Sequence, residues 1–523
     1  MNISLLPLDS RPCNTLFPQQ LGRIAGENIK LPDPGFMDYF TRPAWFPYMD
    51  EWLLEYAARS DYFIVSLDML AYGGLIASRK KSSEDPLPRL EILKKMKSLN
   101  PALKIFAFNV IMRTSITTID EKSWRYWELI NEYSRLKGLG DPGLAEVERQ
   151  IPRDVLDSFL SVRERNHRVN CRAVDLLNGK TLDCLVLVQE DTSTGGIQVI
   201  EQKILSQHIN PAAAGFIHNG ADEAGMLLLA RVLNAGRPLR MHWEFLNSQR
   251  AGFTAAYEDR PFIKNLESQI RAGGIEPGGP DEAGTPDEAG TPDEAGTPDE
   301  AGTPVELLIL PPKGEVQQNA HVQDTEETAD YSAEELEEMA VKIEKLLVAG
   351  KTVGLLDLAF ANGGHRLFMQ KIREKGLLGI PGGPGAADSA GAVISAYAAW
   401  NTASNSLGTI LAQLSALCRG KNLGLPAEEN NTFTLERYLD DCLYQADVRT
   451  RLEKELKAEG INVLNVGSAK GEIEERARRE LPLLAPDLDF DFFLPWPRTF
   501  EGKITMKNHG VPEAGGLAGE QRK

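Results

Sequence analysis

Cysteine is scarce and never paired. Cys13, Cys171, Cys184, Cys418 and Cys442 are scattered along 523 residues, with no CxxC pair and no dense framework of the kind small secreted domains need. That spacing excludes a disulfide-stapled fold and leads to the expectation of a reducing cytoplasm. Positive charge is in deficit as well: 57 Lys and Arg face 75 Asp and Glu, a net charge of -18. Such a field repels polyanions, so nucleic acid is not an expected partner. No uncharged apolar run approaches the roughly 20 residues of a membrane-spanning helix. Met1 leads straight into Ile3-Ser4-Leu5-Leu6-Pro7-Leu8, without a basic leader or a small-residue cleavage site. A soluble protein with no membrane partner is the expectation.

Familiar chemical motifs are missing too. There is no HExxH, no paired-Cys zinc pattern, no GxSxG elbow, no P-loop and no GxGxxG after a strand. Metal, serine-hydrolase and nucleotide readings lose support, and no cofactor is expected. What remains is an ordinary globular composition, 42% hydrophobic and 25% charged, enough to bury a sizeable core.

The hexapeptide Pro-Asp-Glu-Ala-Gly-Thr recurs through most of Gly278 to Pro304, a segment without aromatic or branched aliphatic residues. It cannot bury enough apolar surface to offset its ordering entropy. A solvated acidic insertion is expected; a calcium-binding repeat is the alternative, although hard-cation sites need a defined turn of oxygen ligands. Elsewhere, short apolar runs alternate with stretches of helical periodicity, the pattern of parallel strands joined by crossover helices. The strand candidates are 3–8, 62–67, 105–111, 184–188, 213–218, 307–310, 353–358 and 392–396, with a weaker one at 239–243. Units about 40 to 50 residues apart favour a closed (β/α)8 TIM-barrel-like fold over an open doubly wound α/β sheet. The expected organisation is a barrel over 1–425, interrupted by the 278–304 repeat, and a mainly helical C-terminal extension over 426–523.

In either fold the chemistry belongs after the strands. The first strand ends in Asp9-Ser10-Arg11-Pro12-Cys13-Asn14, where Asp9, Arg11 and Asn14 suit an anionic or polyhydroxylated ligand; an internal Asp-Arg pair is the alternative. The second leads to Asp68, Tyr72, the Gly73-Gly74 pair and Arg79, and Arg113 follows the third. After the fourth come Glu190 and Asp191. Adjacent acids at the mouth of an apolar strand are costly unless solvent, cations or substrate hydroxyls receive them, which invites acid-base work. Alternatively, Asp191 caps a turn or helix while Glu190 pairs with an arginine.

His218 and Asn219 follow the fifth strand as expected ligand contacts, with Asp222 and Glu223 in the first turn of the next helix, where acids also serve as caps. Later strands contribute Asp357 and Asn362, then Trp400, Asn401 and Asn405. Trp400 or Tyr397 could stack on a sugar face while the asparagines read hydroxyls; a place in the core is the other option for both aromatics. His218, His321 and His365 with Asp357 match no local metal-ligand spacing.

The motifs Pro7-Leu8-Asp9-Ser10-Arg11-Pro12, Tyr72-Gly73-Gly74, Gly220-Ala221-Asp222-Glu223, Trp400-Asn401-Thr402 and Pro495-Trp496-Pro497-Arg498-Thr499-Phe500-Glu501 resemble, nearly end to end, the bacterial domain-of-unknown-function family 4127. Relatives often carry a second Asp where this chain has Ser10, and Asp-Asp where it has Glu190-Asp191. A looser likeness is to O-GlcNAcase-type glycosidase barrels, whose strand four is also followed by adjacent acids. That likeness implies Asp191 as the acid and Glu190 as the group orienting an acetamido nucleophile; a Glu in the first place lengthens that side chain by a methylene. The expectation is a hydrolase of glycosidic bonds in small glycans or glycoconjugates, N-acetylhexosaminides among them, with a carbohydrate substrate as its partner. The alternatives are a metal-dependent hydrolase or isomerase using His218, Asp357 and His365, and a non-catalytic carbohydrate-binding or sensor protein. Oligomeric state is not legible in the sequence.

Overall fold

The computed structural model describes residues 1–114, 125–278, 304–323, 328, 330–380 and 392–507. The repeat therefore lies outside the described residues, apart from its flanks Gly278 and Pro304. The apolar runs form strands as expected, among them β1 (Ile3–Leu6), β2 (Ile29–Lys30), β3 (Tyr62–Ser66), β4 (Lys104–Ile111), β5 (Cys184–Gln189) and β6 (Gly215–Asn219). These make one wholly parallel sheet in the order β2-β1-β3-β4-β5-β6. The second half supplies β7 (Arg240–Phe245), β8 (Glu276–Pro277), β9 (Val305–Leu310), β10 (Gln318–Asn319), β11 (Val353–Asp357), β12 (Phe360–Ala361) and β13 (Ala396–Ala398). Here the order is β13-β11-β9-β7-β8, again parallel, while β10 pairs with β12 alone. The run at 392–396 enters its ladder later than expected, at Ala396.

Both sheets are buried on both faces, which is why their strands read as continuous apolar runs rather than alternating ones. All six residues of β5 are buried. Successive residues serve different cores: Leu5, Ile64, Phe108 and Val186 point inward, whereas Leu6, Val65, Ala107 and Leu187 point to an outer core. In the second sheet Leu307, Ile309 and Leu356 share that same inner core, and Leu308, Leu310 and Leu355 join a third.

Four helices fill the inner core between the sheets: Leu16–Ile24, Ala224–Leu233, Phe262–Ala272 and Ala403–Asn422, through Leu21, Leu228, Leu266 and Leu411. In Ala224–Leu233 every residue except Arg231 is buried, as a helix enclosed by protein on all sides must be. The α/β fold with parallel strands and crossover helices is thus as read from the sequence. The strands pair into two sheets, and among the described residues no ladder links β6 to β7 or β2 to β13.

From residue 426 the described chain is mainly helical: Glu428–Arg437 continues through the π-helical Tyr438–Val448 into Arg449–Ala458, and Lys470–Leu484 follows. An antiparallel pair, β14 (Phe490–Phe493) and β15 (Lys503–Met506), then brackets a segment that returns to the start of the chain. There Trp496 donates its indole N–H to Ser10 Oγ at 3.1 Å. Among the described residues no helix is long and apolar enough to cross a membrane.

Candidate functional site

Parallel strands carry their carboxyl ends to one edge of each sheet, and the loops from both edges converge on a cavity of about 300 Å³. Arg11 arrives after β1, Arg79 after β3, Arg113 after β4, Glu190 and Asp191 after β5, Asp222 after β6, Asn362 after β11, and Asn401 with Asn405 after β13. These nine expected site residues line the cavity together. A larger concavity, about 690 Å³, lies at the opposite, amino ends around Leu239, Val305 and Thr352, and Glu276 is the one carboxylate in its lining.

The backbone around the smaller cavity is strained. Six described non-glycine residues have positive φ, and four of them are in this lining: Asp191 (26°), Tyr257 (66°), Asn362 (61°) and Asn401 (65°). Each such conformation costs of order 1–2 kcal/mol and persists only where the surroundings impose it. Here the loops tie one another. Asn362 N–H donates to Asn401 O at 2.8 Å, Thr114 N–H to Asp191 O at 3.2 Å, and Thr192 N–H to Tyr257 O at 2.9 Å. Gly220, at φ 110°, makes the turn after β6, where an added Cβ would lie 1.9 Å from the buried Glu223 carboxylate.

Charge is organised in pairs. Arg11 is 3% exposed, and its Nε donates to both oxygens of Asp9 at 3.0 and 2.9 Å. Its two Nη groups reach Asp222 and Glu501. Burial alone would lower the Arg11 pKa, but Asp222 and Asp9 raise it well above its ordinary value. Arg79 pairs with Glu190, and Arg113 pairs with Asp191 and lies 3.7 Å from Glu190. Burial would raise the Glu190 carboxyl; the two guanidiniums outweigh it and hold the group below its usual value. Glu190 Oε2 is buried without a partner. Glu258 is the opposite case. It also lines the cavity, is 4% exposed, and is pushed up to about 7 by burial, although Ser404 N–H at 2.7 Å and Asn265 Nδ2 at 2.7 Å donate to it.

The other expected residues stand behind the lining or away from it. Asp9 holds Arg11 and accepts from Asn14 Nδ2 at 3.0 Å, so both support the loop from within. Asp68 accepts from Val110 N–H at 2.9 Å, and Tyr72 packs under the Arg165 guanidinium; both are buried. His218 is fully buried, donates from Nδ1 to Asn219 O at 2.7 Å, and is lowered by burial to about 4, so it is a neutral core histidine. Asn219 is likewise buried outside the lining. Trp400 packs against Phe500 at 5.7 Å between ring centroids, in the core option rather than the stacking one.

Asp357 accepts from His365 N–H at 2.6 Å and from Tyr397 OH at 3.3 Å, in the core outside the second sheet. His365 gives its Nε2 to Asp330 at 2.6 Å. His218, Asp357 and His365 therefore do not meet, and among the described residues no three His, Cys, Asp or Glu side chains converge on a metal-sized position. The expected capping roles also change. Of the alternative reading of the acid pair, one half is formed, the pairing of Glu190 with an arginine, whereas Asp191 caps no helix, since the next begins at Ile197 after Gly196. The helix after β6 starts at Ala224, leaving Asp222 ahead of it on Arg11 and Glu223 turned back onto Ala221 N–H at 2.9 Å.

Several lining residues were not expected: Gln189, Tyr257, Glu258, Thr402, Trp496, Arg498 and Phe500. Tyr257 and Glu258 lie well beyond the end of β7, where inspection of the first few residues after a strand does not reach. Trp496, Arg498 and Phe500 belong to the Pro495–Glu501 motif, whose aromatic and charged content at the end of a helical region was the available signal. In the structure Arg498 sits over both Trp496 and Phe500, 5.0 and 5.7 Å from the ring centroids, and forks onto Glu501.

The chain belongs to the family described as Protein of unknown function (DUF4127), which it matches over residues 3–505. No curated protein matches it.

Proposed function

We propose that this member of the family hydrolyses a glycosidic bond in a small glycan or glycoconjugate, with Glu258 as proton donor and Glu190 as its ionised partner. One observation carries the reading: Glu190 and Glu258, two of the carboxyl groups lining one cavity, are shifted in opposite directions by their surroundings, Glu190 below its usual value and Glu258 up to about 7. Such divergence is how acid and base roles are divided in carbohydrate hydrolysis. Glu258 gives its proton to the leaving oxygen as the anomeric C–O bond breaks. The Glu190 carboxylate stabilises the positive charge growing at the anomeric carbon, water supplies the new C–O bond, and its proton restores Glu258.

The roles differ from those implied by the glycosidase likeness. Asp191 has 32% of its side chain exposed and its carboxylate engaged by Arg113, which suits a rim position better than that of the acid. Asn362, Asn401 and Asn405 supply donors and acceptors for hydroxyls, and Tyr257, 46% exposed, supplies an apolar face. The doubly covered sheets favour two open sheets sharing a helix layer, rather than a closed (β/α)8 ring, as the frame of this site. Five cysteines without a disulfide among them favour a cytoplasmic setting.

The test is release of chromophore from a panel of aryl glycosides, N-acetylhexosaminides included. Wild type is expected to turn over at least one substrate, with Glu258→Gln and Glu190→Gln each slower by about 100-fold or more. Full turnover in Glu258→Gln removes it as the acid. Non-catalytic sugar binding is the second reading, favoured by the engagement of Glu190 with Arg79 and Arg113; sugar binding without product across the panel selects it.

A further inference from the structure

Resting on the glycosidic reading, we propose that the cavity takes an acidic sugar, whose carboxylate or phosphate oxyanion is received by Arg79, Arg113 and Arg498. The charged groups of the lining differ in how much of their hydrogen-bonding capacity is committed. A guanidinium carries five N–H donors in a fixed fork. Arg11 has spent its own on Asp9, Asp222 and Glu501. Among the described residues the other three guanidiniums are less committed: Arg79 uses only Nη2, on Glu190. Arg113 also pairs through Nη2, and its Nε is buried with no acceptor. Arg498 commits Nε and Nη2 to Glu501 and leaves Nη1 without a partner.

On the acceptor side, the one buried carboxylate oxygen of the lining left unpartnered is Glu190 Oε2. Among the described residues, Arg113 Nε and Glu190 Oε2 are the buried atoms of these groups left without a partner, one donor and one acceptor; the surplus of donors lies in the uncommitted N–H groups of Arg79 and Arg498, which are not buried without a partner. An oxyanion answers several at once, with charge-assisted bonds that a neutral hydroxyl cannot match. With a net charge of -18 on the chain, an anion gains no long-range attraction, so recognition is local to these three side chains.

The experiment is calorimetric titration of the full chain with glucuronate, glucose 6-phosphate, glucose and inorganic phosphate, on wild type and Arg498→Gln. The expected result is that at least one acidic sugar binds about tenfold or more tighter than glucose, and that this preference falls about tenfold in Arg498→Gln. The two acidic sugars distinguish carboxylate from phosphate; phosphate alone binding as tightly as the phosphosugar would show an anion site without sugar recognition and would overturn the proposal. Equal binding of glucose and both acidic sugars, binding of none, or a preference unchanged in Arg498→Gln would also overturn it. Should Arg498→Gln not fold, Arg498→Lys serves instead, because an ammonium cannot reproduce the planar fork and the preference is expected to fall several-fold. Acidic-sugar binding that persists without turnover of any aryl glycoside would leave this inference standing and the hydrolytic reading fallen.

Discussion

Glu258 and Glu190 bring the same functional group to one cavity, and the neighbours of each decide its charge. Glu190 faces Arg79 and Arg113, whereas Glu258 is enclosed by neutral partners, Asn265 and the Ser404 amide. The consequence for stability has a definite sign. The folded-state value of Glu258, about 7, lies above the 4.5 of a free glutamate, so the folded protein holds this proton more tightly. Its contribution is complete below about pH 4.5 and is lost as the pH rises through about 7. Asp68, also raised to about 7 by burial, slopes the same way, so the difference between wild type and Glu258→Gln isolates Glu258. Urea unfolding at pH 5.5 and 7.5 should show wild type losing about 2 kcal/mol more than Glu258→Gln over that interval; parallel losses would place the Glu258 pKa near that of a free carboxyl.

Backbone strain gives a second prediction at this scale. Asn401 sits at φ 65°, a region an alanine enters at a cost of about 1 kcal/mol and a glycine enters freely. Both Asn401→Ala and Asn401→Gly lose the bond to Asp222, so the Ala variant should be less stable than the Gly variant by about that amount in chemical denaturation. Equal stabilities would mean that the left-handed turn is not retained.

At the scale of elements, Ala224–Leu233 is the keystone. It leaves β6 immediately after Asp222 and packs in the core shared by both sheets. Leu228→Ala leaves a cavity with no solvent-facing side into which it can relax, and is expected to cost about 2–5 kcal/mol. Leu367→Ala, on a helix face where Leu367 is 57% exposed, should stay within about 0.5 kcal/mol of wild type. Comparable losses in the two would contradict this burial pattern.

Legibility followed the same physics. The start of the helix Ala333–Val348 is written locally, because Ser332 and Glu335 form a capping box ahead of a periodic apolar stripe. Strand β7 was the weakest candidate because most of Arg240–Phe245 is only half-buried and its polar residues interrupt the apolar run. Glu258 was not readable as a site residue at all: it follows a long loop after that weak strand, and its proton depends on Asn265 and Ser404, which tertiary packing brings to it.

Over the whole molecule, the described residues on either side of the repeat, Gly278 and Pro304, meet. An added Cβ on Gly278 would lie 3.0 Å from Pro304 Cβ, where β8 ends and β9 begins. Loop-closure entropy changes slowly with length, so replacing residues 279–303 with a Gly-Ser pair should leave the melting temperature within about 2 °C and ligand binding unchanged. Loss of folding would instead make the segment part of the core.

Sequence by itself determined the parallel α/β character and the positions of the principal strands, because burial on both faces writes each strand as an apolar run. It also brought forward nine of the lining residues, from Arg11 to Asn405, since each lies in the segment leading away from the carboxyl end of a strand. Only the tertiary structure decided which strands pair, and which polar residues face the cavity rather than the core. Asp9, Asp68 and His218 are as polar as Arg79 and Glu190, yet they are buried behind the lining. It alone carried Trp496, Arg498 and Phe500 across the chain to complete the wall. The physical reason is that local pattern fixes an element and its faces, whereas the partners that set a side chain's charge and exposure come from segments far away in sequence.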